Sequence, residues 1–191
     1  MTQVITVGDP HVSDKAPVNA TDSYTDDIIE MLIWIADEAK RREVDAVILL
    51  GDIFHHKAPS RNSHQLVQKM IDVVRYYERV GVPLWAIVGN HDLTSDRMDS
   101  LPSQPLGVLF KAGLRRLEGW HPERPGYGIG WRQDWTTNED APREAFEVWR
   151  SALGLENDGD PGVLEGPALA LTHAPVYPPR EAAEKLFELV S

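Results

Sequence analysis

Four short blocks of this sequence carry side chains of the types that hold metal ions. They are "GDPH" (8–11), "GD" (51–52), "GNHD" (89–92) and "TH" (172–173). Together they offer carboxylate, imidazole and amide donors, a set that suits Mn²⁺, Fe²⁺ or Zn²⁺ better than an all-oxygen Ca²⁺ site. A carboxylate that bridges two such ions lets the pair activate water and clamp both oxygens of a displacement at phosphorus. The blocks therefore predict a site for divalent metal ions.

Each block follows an apolar run that is typical of a buried strand. The runs are "VITV" (4–7), "AVILL" (46–50), "LWAIV" (84–88) and "ALALT" (168–172). Because ligand sites in open α/β sheets lie beyond the carboxyl ends of the strands, four such strands would bring their polar endings to one edge of a sheet. The residues expected there are Asp9, His11, Asp52, Asn90, His91 and His173. Gly8, Gly51 and Gly89 suit tight turns that approach a bound group closely.

Helical patterns separate the first three strands, so the alternation predicts an α/β fold with helices packed on a sheet. The first helix is expected to begin near Thr25 as its N-cap and to end near Arg42. The second is expected to run from Ser60 or Ser63 to Val80, with Gly81 as its stop. Further along, the patterns predict a helix at Pro105–Ala112, strands near Leu114–Leu117 and Tyr127–Trp131, and a helix at Asp140–Leu153.

The composition favours a cytoplasmic protein with one domain over residues 1–191. There is no cysteine, no secretory signal pattern and no apolar run of the roughly 20 residues that cross a bilayer. The formal net charge of −11 argues against a passive module that grips DNA through a basic surface. It does not argue against an enzyme whose bound cations hold the phosphate.

The blocks in combination resemble the calcineurin-like metallophosphoesterase superfamily, whose signature D-x-H, G-D, G-N-H-D and H they match in order. Within it, "GDIFHHKAPS" (51–60) is most similar to a segment of the SbcD-type double-strand-break repair nucleases. The resemblance implies a sandwich of two mainly parallel or mixed sheets flanked by helices. It implies a DNA exonuclease or endonuclease, in which water held between two metal ions attacks the phosphodiester.

The resemblance also implies roles for single residues. Asp9 and His11 would bind one ion, Asn90 and His173 the other, and Asp52 would bridge the two. Mn²⁺ is the expected metal, with Fe²⁺, Zn²⁺ or Mg²⁺ as alternatives.

Two histidines are expected to act on the substrate. His91 would lie beside the scissile phosphate, and His55 would be a further active-site histidine. Asp92 either orients His91 or caps its own turn, and both roles remain open.

The chain departs from the family pattern after His173, where the family has a Gly-His-x-His block. Only 18 residues follow, and none is histidine. We therefore expect a metallophosphoesterase domain that is incomplete at its carboxyl end. A second polypeptide that completes the site, or incomplete metal binding, is the alternative explanation.

Other expectations concern contacts and partners. Arg61 and Arg97 are candidates for phosphate or DNA contacts, whereas His56 and His64 are expected to lie outside the chemistry. The resemblance implies DNA as substrate, an SbcC-like coiled-coil ATPase as partner and a homodimer, with no membrane association. Two rivals to the nuclease stay open: an esterase on a small phosphodiester or phosphomonoester, and a catalytically incomplete binding domain.

Overall fold

The computed structural model describes residues 3–17, 23–117, 119–120, 127–129 and 170–172. Its larger sheet has four parallel strands in the order β1-β2-β3-β4. These are β1 (Val4–Val7), β2 (Ala46–Leu49), β3 (Leu84–Ala86) and β4 (Arg115–Arg116). The first three confirm the strands predicted there. The strand predicted near Leu114–Leu117 is confirmed over its two central arginines, which are exposed.

The central strands of this sheet are buried on both faces. Val47 and Leu49 belong to the core beneath the helices, whereas Ala46 and Ile48 belong to a second apolar cluster with Trp85 on the other face. Strands that are covered on both sides read as continuous apolar runs instead of alternating ones. This is why the sequence pattern marked these strands clearly.

Helices α1 (Tyr24–Arg41), α2 (His64–Val80) and α3 (Pro105–Lys111) complete the described α/β architecture. The predicted N-cap of α1 is wrong, because the helix begins at Tyr24 with Ser23 in the cap position. The Thr25 hydroxyl instead donates a hydrogen bond of 2.5 Å to the carbonyl of Ser13. It therefore ties the helix to the loop after β1.

Helix α2 matches its prediction closely. The Ser63 side chain accepts a hydrogen bond of 3.0 Å from the Leu66 N–H, and Gly81 ends the helix with a left-handed φ of 79°. Glycine adopts this conformation without the steric cost of a Cβ. Its inner face is buried and consists of Leu66, Met70, Val73, Val74 and Tyr77. The Tyr77 hydroxyl donates to the Leu32 carbonyl at 2.9 Å, which links α2 to α1.

A second sheet has the order β5-β6-β7. Its strands are β5 (Gly119–Trp120), β6 (Tyr127–Ile129) and β7 (Ala170–Thr172), and β7 pairs with β6 in parallel. The expectation that all four site-bearing strands share one sheet is therefore wrong, because the fourth pairs with β6. His173 directly follows β7 but lies outside the described residues, as does the predicted helix at 140–153.

Short 3₁₀ helices at Pro59–Arg61, Thr94–Asp96 and Met98–Ser103 shape the loops after β2 and β3. In the described part of the chain, no helix is both long and apolar enough to cross a membrane.

Candidate metal centre

The loops after β1 and β2 continue side by side beyond the ends of their strands. The N–H of His11 donates to the Asp52 carbonyl at 3.1 Å, and the N–H of Val12 donates to the Ile53 carbonyl at 2.9 Å. The N–H of His55 then donates back to the Val12 carbonyl at 3.0 Å. This short parallel ladder fixes His11 beside the segment that carries Asp52 and His55.

The backbone at this edge is held in an unusual conformation. Asp9, His11 and Asp52 have φ values of 36°, 45° and 48°, in the left-handed region. Such a residue costs of order 1–3 kcal/mol, and it persists only where the surroundings fix it, commonly at functional sites. Three of the residues named as metal ligands from the sequence carry this cost.

Three histidines meet at the ends of these loops. His11, His55 and His91 each offer a ring nitrogen, and these ligand atoms lie within 4.8 Å of one another. The His11 ring centroid is 5.0 Å from that of His91 and 5.6 Å from that of His55. The cluster thus joins one predicted metal ligand to both predicted substrate histidines.

Asp52 lies directly beneath this cluster and is only 5% exposed. Its Oδ1 accepts a hydrogen bond of 2.7 Å from the backbone N–H of His91. Its Oδ2 lies 3.8 Å from Nε2 of His11. The carboxylate is therefore held between the loops after β1 and β3, as a bridging ligand requires.

The chemistry of His11 fits a metal ligand. Its Nδ1 is buried and has no hydrogen-bond partner among the described residues. Burial lowers the pKa of His11 and outweighs the opposing effect of Asp52. A neutral imidazole is the form that binds metal ions, so the residues present fit a divalent cation.

The ring of His91 has a fixed orientation. Its Nδ1 lies 2.7 Å from the carbonyl oxygen of His55. Because a carbonyl oxygen only accepts, Nδ1 must carry the hydrogen, and Nε2 is left to accept or donate a proton. His91 is thus bound to the β2 loop through both its backbone and its ring.

Asp92 ties the loop after β3 to the loop after β2. The side chain is 3% exposed, and its Oδ1 accepts from the N–H groups of Ile53 at 2.9 Å and Phe54 at 3.4 Å. Its Oδ2 accepts from the N–H of Gly89 at 3.0 Å. Burial raises the pKa of Asp92 to about 7, against the effect of these three donors. Asp92 therefore caps its own turn and also holds the neighbouring loop.

We expect Asp92→Asn to lower the free energy of unfolding by about 1–3 kcal/mol. Both carboxylate oxygens accept backbone N–H groups, and an amide has only one oxygen, so at least one buried donor loses its partner. Urea denaturation measures the change. The control is Asp72→Asn, an exposed residue of α2, which should change stability by less than about 0.5 kcal/mol. Equal stability of Asp92→Asn and the parent chain would contradict the role of Asp92 in holding the two loops together.

Only two of the three predicted glycines have special geometry. Gly51 has a φ of 92°. A Cβ at Gly89 would lie 2.2 Å from Oδ1 and 2.3 Å from the backbone N of Asp52. A Cβ at Gly8 would meet nothing within 4 Å. The expectation for Gly8 stays a prediction, whereas the absence of a side chain at Gly89 makes room for Asp52.

The other predicted residues include two metal ligands, two arginines and two histidines that were expected to lie outside the chemistry. Asp9 is exposed, and its negative charge opposes the lowering of the His11 pKa by burial. Asn90 is half-buried. Arg61 is exposed, and Arg97 forms a two-point ion pair with Asp99 at 2.6 and 3.1 Å. The two histidines that were expected to lie outside the chemistry differ in exposure. His64 is exposed on α2, whereas the half-buried ring of His56 packs edge-on against His55.

The sequence profile of the calcineurin-like phosphoesterase family matches residues 2–189. The chain belongs to this family. The match confirms the resemblance and the α/β fold class.

Three DNA double-strand break repair proteins are similar to part of this chain. The DNA double-strand break repair protein Mre11 of Archaeoglobus fulgidus is 31% identical over 83 residues, or 43% of this chain and 18% of that protein. The protein of the same name from Aeropyrum pernix is 32% identical over 119 residues, or 61% of this chain and 28% of that protein. The one from Haloferax volcanii is 29% identical over 133 residues, or 68% of this chain and 28% of that protein. The matched stretches thus span less than a third of these relatives.

Proposed function

We propose that this protein is a two-metal-dependent phosphodiester hydrolase that acts on DNA, as an exonuclease or endonuclease of the SbcD type. The observation that carries the proposal is the meeting of His11, His55 and His91 above the buried Asp52. The similarity to DNA double-strand break repair proteins supports DNA as the substrate class.

The metal ligands in this proposal are those expected from the sequence. Asp9 and His11 would hold one ion, Asn90 and His173 would hold the other, and Asp52 would be a ligand to both. Mn²⁺ is proposed first, with Fe²⁺, Zn²⁺ or Mg²⁺ as alternatives, because the donors mix nitrogen and oxygen without sulfur. When bound, such a pair supplies an activated water and neutralises charge on the phosphate oxygens.

The chain's own residues provide orientation and proton transfer. The hydrogen bond from Nδ1 of His91 to the His55 carbonyl leaves Nε2 to face the substrate. There, Nε2 either stabilises the charge that develops on the phosphate or protonates the leaving oxygen. His55 is exposed beside it and is placed to contact the same phosphate.

His91→Ala is expected to retain metal and to lose most turnover, by roughly 10²–10⁴-fold, as for loss of a general acid. Calorimetric titration with Mn²⁺ measures the retained metal, and hydrolysis of bis-p-nitrophenyl phosphate measures the rate. His64→Ala is the matched control, since His64 is an exposed histidine in the first turn of α2. Loss of metal binding in His91→Ala would mean that His91 is itself a ligand.

The net charge of −11 favours one rival, an esterase of the same fold that acts on small phosphoesters. Hydrolysis of linear duplex DNA and of bis-p-nitrophenyl phosphate, each with Mn²⁺, separates the two. Activity on the small ester alone would exclude the nuclease. A chain that binds less than one Mn²⁺ at millimolar supply, with no turnover, would instead support the binding domain.

We also propose a cellular compartment, an oligomeric state and a protein partner. A DNA-repair nuclease of this type would work in the cytoplasm, as a homodimer, with a coiled-coil ATPase partner. Co-purification of such an ATPase with the tagged full-length protein tests the partner, and light scattering tests the dimer.

A further inference from the structure

Gln104 is a polar side chain that is buried in the protein, directly before α3. Its residue is only 2% exposed. It occupies the N-cap position of α3, yet its side chain makes no capping hydrogen bond to that helix. Burial of an amide is unfavourable unless the amide is hydrogen-bonded. The partner of this side chain therefore indicates what the residue does.

The partner of Gln104 is the hydroxyl of Thr94, in the loop after β3. Nε2 of Gln104 donates to Oγ1 of Thr94 at 2.7 Å. A hydroxyl has a single hydrogen, and that of Thr94 is donated to the carbonyl of Lys57, in the loop after β2, at 3.4 Å. The Thr94 backbone is also held, because its N–H donates to Oγ of Ser100 at 3.1 Å. Gln104 thus fixes the hydroxyl that joins the two loops.

The loops after β2 and β3 are joined at three successive places. The inner link is the Asp92 carboxylate, which accepts from two N–H groups of the loop after β2. The middle link is the contact of 2.7 Å between Nδ1 of His91 and the His55 carbonyl. The outer link is the hydrogen bond from the Thr94 hydroxyl to the Lys57 carbonyl. The two histidines proposed to act on the substrate therefore lie between the inner and the outer link.

The outer link is the one that needs support from another element. Asp92 is buried, whereas Thr94 is exposed and its bond to the loop after β2 is long. Water competes for a hydrogen bond at the surface, so such a bond alone contributes little. Ser95, the next residue, has a left-handed φ of 54°, a conformation that persists only where the surroundings fix it. The buried amide of Gln104 supplies a fixed donor at this place.

We propose that Gln104 is a positioning residue for His55 and His91. By holding the Thr94 hydroxyl against the Lys57 carbonyl, it keeps the two loops at the separation in which Nδ1 of His91 donates to the His55 carbonyl. Without this support the ring of His91 is free to turn, and its hydrogen exchanges between the two ring nitrogens. This inference rests on the proposed function, in which Nε2 of His91 acts on the substrate.

Two substitutions break the contact from its two ends. Gln104→Met keeps an unbranched side chain of similar length and removes the donor, and Thr94→Val replaces the hydroxyl with a methyl group of similar size. Thr94→Ser is the matched control, because it keeps the hydroxyl. Val73→Ala is the control for destabilisation, since Val73 is buried in α2 and takes part in none of the three links.

Long-range proton–nitrogen NMR spectra of the metal-free chain show which ring nitrogen of each histidine carries the hydrogen. Comparison with His91→Ala assigns the signals of His91. In the parent chain, in Thr94→Ser and in Val73→Ala, the hydrogen of His91 should be on Nδ1. In Gln104→Met and in Thr94→Val, the tautomer with the hydrogen on Nε2 should become populated. This measurement needs no turnover.

Hydrolysis of bis-p-nitrophenyl phosphate with Mn²⁺ gives kcat and KM for the same variants. Gln104→Met and Thr94→Val should each lower kcat by roughly 10- to 100-fold with KM unchanged, as a small misplacement of a reacting group does. Mn²⁺ affinity, measured by calorimetric titration, should stay that of the parent chain. The double variant should be no slower than either single variant, because both changes remove the same contact.

An unchanged tautomer of His91 in Gln104→Met and Thr94→Val would overturn the positioning role. An equal loss of kcat in Val73→Ala or in Thr94→Ser would overturn it as well. Thr94 is exposed, so the comparison of Thr94→Val with Thr94→Ser decides the question even if Gln104→Met does not fold. A parent chain without turnover would contradict only the proposed function, since the tautomer comparison still tests the role of Gln104.

Discussion

Asp52→Asn is expected to lower Mn²⁺ affinity by at least about 100-fold, with a parallel loss of hydrolysis, if Asp52 is the shared ligand. Changes around metal ligands already cost about 10–100-fold, and this substitution removes the negative charge from the ligand itself. The amide oxygen can still accept the hydrogen bond that the His91 N–H now donates to Oδ1 at 2.7 Å. The variant therefore tests the charge of residue 52 more than the shape of the loop.

Calorimetric titration with Mn²⁺ and urea denaturation together separate metal affinity from folding. Asp72→Asn is again the control, because it removes the same charge from an exposed position on α2. A folded Asp52→Asn chain that binds Mn²⁺ as tightly as the parent would exclude Asp52 as a ligand. In that case the other proposed ligands would have to hold the metal without Asp52.

Gly89→Ala is expected to have an effect of similar size without any change of charge. Its new Cβ would lie 2.2 Å from Oδ1 of Asp52 and 2.3 Å from the backbone N of Asp52. One of the contacted atoms belongs to the backbone, so the loop after β2 must move and Asp52 must leave its place beside His11. Mn²⁺ affinity should fall by about 100-fold, on the scale of an altered metal ligand.

Gly107→Ala is the matched control for this clash. Its Cβ would lie 2.1 Å from the Leu101 carbonyl oxygen, so it is equally crowded but lies in α3. It should lower the free energy of unfolding, while the folded fraction keeps its Mn²⁺ affinity. If both glycine variants lost affinity to the same extent, the effect at Gly89 would reflect general destabilisation. Gly8→Ala, which has open space, should leave stability within about 0.5 kcal/mol.

The sequence predicted the regular elements well where burial dominates. Strands β2 and β3 appear as apolar runs because they are covered on both faces. Helix α2 follows from its apolar stripe, its Ser63 cap and its Gly81 stop, all of which are local features.

Predictions that depended on contacts between distant segments were less accurate. Thr25 has the side chain of an N-cap, but its hydroxyl binds the Ser13 carbonyl in another loop. The fourth strand was expected beside the others, yet β7 pairs with β6 in a second sheet. Arg61 and Arg97 each follow one of the metal-ligand blocks in the sequence. Of these two, Arg97 is paired with a carboxylate and Arg61 is not, among the described residues. Local pattern does not encode which distant partner a side chain meets.

The sequence by itself determined the donor set and its chemistry. The types of Asp9, His11, Asp52, Asn90 and His91, and their places after apolar runs, indicate a divalent-metal site, and the resemblance of the combined blocks to a known family implies a phosphoesterase. Only the tertiary structure decided how these groups are arranged. The backbone is left-handed at Asp9, His11 and Asp52, and hydrogen bonds between segments far apart in the chain join His11 to Asp52 and orient the ring of His91. Side-chain direction follows from these long-range constraints, and no short stretch of sequence contains them.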